Sequence, residues 1–143
     1  MKYKIMVIEE SNQDLRDKIM STLIKEGFEV AKASSSQEIL TTPGELKPQL
    51  IILGEGLPID SFEACSQLRQ AVDAPILMVG AIPSDKAWTK IVEAGADCYL
   101  VKPFGYLELA ARVKAYSAVM NGTPARKYKG EITKKQNSKL VVA

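Results

Sequence analysis

The stretch Ile51-Ile52-Leu53, closed by Gly54 and the loop Glu55-Gly56-Leu57-Pro58, constrains the fold of this chain more than any other. Consecutive apolar residues with no polar alternation read as a parallel strand buried on both faces. Glycines and a proline stop such a strand at once, so its carboxyl end opens directly into a loop. In open α/β sheets that edge is where ligands and chemistry sit. The residue delivered there is Gly54, which has no side chain.

Four further apolar runs share this plan. Tyr3-Lys4-Ile5-Met6-Val7-Ile8 ends at Glu9-Glu10, Phe28-Glu29-Val30-Ala31 follows Gly27, Pro75 to Val79 ends at Gly80-Ala81, and Cys98-Tyr99-Leu100-Val101 ends at Lys102-Pro103-Phe104. Helical segments separate them. One is capped at Ser11 or Asn12 and carries Leu15, Ile19 and Leu23 on one face up to Gly27; a short weak one follows Ser34-Ser35-Ser36 and breaks at Pro43-Gly44. Phe62 to Gln70 is the third. Ser84 caps the fourth, Asp85 to Ala94, and the last runs through Leu107, Leu109, Val113 and Tyr116 to Asn121-Gly122. Strands alternating with helices predict an α/β, doubly wound parallel sheet. Right-handed crossovers leave the flavodoxin-like (βα)5 topology, strand order 2-1-3-4-5, with every strand end on one rim.

Composition removes several chemistries. There is no histidine, which excludes Ser-His-Asp and Cys-His catalysis and histidine-ligated zinc. Cys65 and Cys98 are far apart and read as small core residues. No apolar run reaches the roughly 18 to 20 residues needed to cross a bilayer, and the first strand begins without a secretory leader, so a cytoplasmic protein with no membrane partner is expected. The net charge of +2 is unevenly spread. Residues 1–125 hold 13 Lys/Arg against 16 Asp/Glu, whereas residues 126–143 hold six Lys/Arg against Glu131. A basic tail on a mildly acidic body suggests an anion-facing appendage or a solvated tail.

From about Lys2 to Val119 the sequence resembles the receiver domain of two-component response regulators, of the OmpR/PhoB-like kind. The likeness rests on Gly95-Ala96-Asp97-Cys98-Tyr99-Leu100-Val101-Lys102-Pro103-Phe104, on Glu108-Leu109 and Ala111-Arg112-Val113, and on Leu57-Pro58, Leu68-Arg69 and Pro75 to Met78. It implies a receiver over residues 1–122 and no enzymatic activity. Residues 123–143 form a basic linker or tail, in which Tyr128 to Ile132 and Lys139 to Val141 are similar to the opening hairpin of a winged-helix effector domain. Either more of a DNA-binding regulator follows or the chain ends in this tail.

The resemblance also assigns a degenerate phosphorylation site. Glu9 and Glu10 stand at the acidic pair that holds Mg²⁺, Gly54 at the phosphoacceptor aspartate, Gly80 at the Ser/Thr and Lys102 at the lysine. With the acceptor carboxylate missing, at most weak Mg²⁺ binding at Glu9 and Glu10 is expected, and no other cofactor. Glu55 should point away from the site by strand alternation, and Asp60 would need a large shift to replace the acceptor. Lys102 either pairs with Glu9 or Glu10, or holds a small anion in the room left by two glycines. Tyr99 stands at the switch aromatic, with no Thr hydroxyl to follow. The resemblance further implies a homodimer through the fourth helix, fifth strand and fifth helix, with Lys90, Asp97, Glu108 and Arg112 as its charges. The expected function is a phosphorylation-independent regulatory dimerisation module of a DNA-binding transcriptional regulator. The alternatives are a stand-alone pseudo-receiver for a protein partner or small ligand, and a receiver that accepts phosphate on an unexpected carboxylate.

Overall fold

The computed structural model describes residues 3–41, 47–54 and 60–119. Strands β1 (Lys4–Ile8), β2 (Glu29–Lys32), β3 (Leu50–Leu53), β4 (Ile76–Gly80) and β5 (Cys98–Val101) alternate with helices α1 (Gln13–Lys25), α2 (Ser36–Leu40), α3 (Ser61–Ala71), α4 (Asp85–Ala94) and α5 (Tyr106–Val119). The strands form one parallel sheet in the order β2-β1-β3-β4-β5, as the apolar runs predicted. Helix α1 packs on α5, while α2, α3 and α4 pack side by side. Two helical layers therefore cover the sheet.

The hydrophobic pattern explains this layering. All of β3 and β4 is buried, whereas the edge strand β2 is largely exposed. Each fully buried Ile or Leu side chain contributes about 1.5–3 kcal/mol relative to exposure, so the central strands anchor the core. From the helices, Ile19, Leu23, Cys65, Leu68, Ile91, Leu109, Val113 and Tyr116 close on the sheet. Leu107, one of the apolar residues that mark the last helix in the sequence, is 76% exposed.

Helix ends follow local chemistry. The Asn12 carboxamide oxygen accepts from Leu15 N at 3.0 Å, and the Ser84 hydroxyl accepts from Ala87 N at 3.2 Å. Gly27 (φ +98°) and Gly95 (φ +93°) follow α1 and α4 in the left-handed conformation that glycine adopts without steric cost. Glu55 and residues 123–143, with the linker and hairpin expected there, lie outside the described residues.

Candidate functional site

The C-terminal ends of β1, β3, β4 and β5 meet at one rim. Pairing of Val7 with Ile52 and Ile8 with Leu53 continues through the Gly54 N–H, which donates to the Ile8 carbonyl at 2.7 Å. The next residues on the two strands, Glu9 and Gly54, are thereby brought side by side. On the other flank the Lys102 N–H donates to the Gly80 carbonyl at 2.8 Å, so Gly80 and Lys102 end β4 and β5 together. Lys102 precedes a cis peptide bond to Pro103.

Glu9 is fully buried. Its Oε2 accepts from the Ser11 N–H at 3.1 Å and from the Ser11 hydroxyl at 2.6 Å, and its Oε1 lies 4.0 Å from Lys102 Nζ. A Cβ placed on Gly54 would come within 2.0 Å of Glu9 Oε1 and 2.7 Å of its carboxyl carbon, far inside the 3.5–4.0 Å optimum for non-bonded heavy atoms. The space expected to stand open beside Gly54 is filled by this carboxylate.

Glu10 turns the other way. Its Oε2 lies 3.8 Å from Arg16 Nη1 on α1, and Arg16 Nε lies 3.5 Å from Asp17. Arg16 is itself buried, with its stem against the body and its head between two carboxylates. The acidic pair is thus divided between an ammonium and a guanidinium. Mg²⁺ wants near-octahedral oxygen ligands from convergent carboxylates, waters and phosphate, and these residues do not fit it. Among the described residues no group of three or more His, Cys, Asp or Glu could hold a metal ion.

Asp60 is also engaged. Its Oδ1 accepts from Phe62 N at 2.7 Å and Glu63 N at 3.3 Å, capping α3, while the neighbouring Ser61 hydroxyl donates to the Gly54 carbonyl at 3.0 Å. Tyr99 is buried, with its hydroxyl donating to the Ala81 carbonyl at 2.7 Å and its ring edge-on to Trp88 at 5.5 Å between centroids. The aromatic ring thus joins β5 to the loop after β4 and to α4.

Two of the four charges expected on a dimer face are elsewhere. Asp97 is wholly buried: its Oδ2 accepts from Ile76 N at 2.9 Å and forms an ion pair with Arg69. Arg69 also donates to the carbonyls of Gly95 at 2.9 Å and Ala74 at 3.0 Å. A carboxylate in a dry position needs such partners, and here the pair ties α3 to the loops before β4 and β5. Lys90 is exposed, but its ammonium lies 5.8 Å from the Phe62 ring centroid, on the α3 side of α4. Glu108 and Arg112 remain together, one turn apart on α5, with Glu108 Oε1 accepting the Gly105 N–H at 3.1 Å. Cys65 and Cys98 are buried, and burial pushes the Cys65 thiol up to about 12.

Sequence reasoning assigned Ser11 only to helix capping and did not assign Arg16 or Arg69 a partner. The signal for Glu9 was the register itself, because aligning the ends of the first and third apolar runs sets residue 9 against residue 54.

Comparison with known proteins places this geometry in a family. The chain is 39% identical over 119 residues to the alkaline phosphatase synthesis transcriptional regulatory protein PhoP of Bacillus subtilis, covering 80% of this chain and 48% of that protein. With the transcriptional regulatory protein YxdJ of the same organism it shares 30% identity over 139 residues, 96% of this chain and 57% of the relative. The chain therefore spans about half the length of the curated relatives it matches. A two-component response regulator from Clostridium difficile superposes with a TM-score of 0.74 at 27% identity, covering 85% of this chain and 100% of that one. Response regulator DrrB, a Thermotoga maritima OmpR/PhoB homologue, gives 0.71 at 26% identity over 82% of this chain and 54% of that one. Residues 5–114 match the response regulator receiver domain, and with its five-stranded sheet and shared rim the chain belongs to that family.

Proposed function

We propose that this chain is a phosphorylation-independent receiver domain that serves as the regulatory dimerisation module of a DNA-binding transcriptional regulator. The observation that carries the reading is Gly54: the position that ends β3 at the rim has no acceptor atom. Two described carboxylates near that position are committed elsewhere, Glu9, beside it in space, to Ser11 and Lys102, and Asp60, near it in sequence, to the cap of α3. Gly80 supplies no hydroxyl beside Lys102. The names of the relatives, transcriptional regulators about twice as long, support an effector role exercised outside the receiver. DNA contact would belong to that further domain.

For the dimer, α5 supplies the support. Exposed Leu107 stands beside Glu108, with Arg112 one turn on. A patch combining an apolar residue with charges of both signs suits a two-fold, self-complementary contact.

Incubation of the chain with Mg²⁺ and a small phosphodonor, followed by intact-mass measurement, tests the central claim. The mass should stay unchanged. A phosphoryl adduct mapped to any one carboxylate would falsify the reading.

A further inference from the structure

Where the start of α3 meets β4 and β5, the packing leaves a cavity of about 220 Å³ lined by Asp60, Ser61, Phe62, Met78, Val79 and Tyr99. Met78, Val79 and Tyr99 are buried, so these walls are already withdrawn from water, and the exposed Asp60 stands at the mouth. Neither Glu9 nor Lys102 lines the cavity, which sets it apart from the charged rim. An apolar cavity of about 150 Å³ already admits benzene. The volume beside Tyr99 therefore has room for one aromatic ring with a short substituent.

The walls are fixed in place. Tyr99 is held at its hydroxyl by the Ala81 carbonyl and at its ring by Trp88, and a pocket formed in advance spares a ligand the cost of ordering it. Two aromatic rings and the Met78 thioether are surfaces on which another ring packs favourably. The polar group at the mouth selects the rest of the ligand. Asp60 Oδ1 takes up the N–H groups of Phe62 and Glu63, which weakens the attraction of a helix start for an anion and leaves Oδ2 of the same carboxylate to accept from a donor. Lys90, near the Phe62 ring, lines the neighbouring groove between α3 and α4 and not this cavity. We propose that the cavity is a binding site for a small aromatic amine, with its ring between Phe62 and Tyr99 and its ammonium on Asp60. An occupant bears directly on Tyr99 and, through the ring contact, on Trp88 of α4. A small molecule thus acts on that helix without any phosphoryl transfer, and the site does not depend on whether the rim accepts a phosphoryl group.

Titration of the isotope-labelled full chain with benzylamine, followed by amide NMR at constant ionic strength, tests the site. Saturable shifts at millimolar concentration should centre on Phe62, Met78, Val79 and Tyr99. Benzyl alcohol, the neutral counterpart, should bind about two- to five-fold more weakly, the scale of an exposed ion pair. Asp60→Asn, which keeps the capping oxygen, should erase that preference, and Val79→Phe, which fills the cavity, should abolish binding of both probes. Should Val79→Phe fold too poorly to measure, the shift map and Asp60→Asn decide. Shifts that grow without saturating, saturable shifts centred elsewhere, or undiminished binding in folded Val79→Phe would overturn the site. Equal affinity for the two probes, or a preference that survives Asp60→Asn, would overturn the place of the ammonium and with it the proposed ligand class.

Discussion

At the scale of single residues, the molecule's charged groups divide by whether they are buried with partners. Asp97 and Arg69 form the deepest pair, and the guanidinium also satisfies carbonyls at the ends of two loops. Breaking a buried pair by removing one partner leaves an uncompensated charge. Asp97→Ala should therefore destabilise the chain by about 3–5 kcal/mol, measured by urea denaturation, whereas removing the half-exposed Lys114–Glu26 ion pair between α5 and the end of α1 should cost no more than about 1 kcal/mol. Similar losses for the two would show that Asp97 is not held as its contacts imply. The sequence alone gave no hint of this burial. Asp97 looks like a surface charge because it follows Gly95-Ala96 at the mouth of a strand, and its partner is supplied 28 residues earlier, from another helix.

At the scale of elements, legibility was high wherever a local rule decided the outcome. Apolar runs located all five strands, and Asn12, Ser84, Gly27 and Gly95 marked helix ends by chemistry confined to a few residues. Asp60 shows where local reading stopped short. It was weighed as a stray carboxylate near the site, yet it is the N-cap of α3, accepting two backbone N–H groups. Asp60→Ala should cost about 1 kcal/mol, and Asp60→Asn or Asp60→Ser should recover most of it, since capping needs an acceptor oxygen rather than a charge. Chemical denaturation of the three variants checks this. If asparagine proves as damaging as alanine, the carboxylate has a role beyond the cap.

At the scale of the whole molecule, the sheet order and the shared rim followed from strand alternation and crossover handedness, but the state of the rim did not. It depends on how far one side chain reaches across the gap between β1 and β3, and on a register that only the assembled sheet fixes. The same limit applies to the outer face. Helical spacing placed Glu108 and Arg112 together, while Lys90 turned to α3 and Asp97 went into the interior. For the proposed dimer this leaves α5 as the element to perturb: Arg112→Glu should shift sedimentation toward the monomer, and an unchanged dimer would move the interface off this helix. The carboxylate beside Gly54 has a further consequence, since any side chain placed at that position must first move the end of the Glu9 side chain away from the strand end. On the proposed reading, a kinase of a neighbouring pathway would find no acceptor at position 54, and the chain would be insulated from its cross-talk.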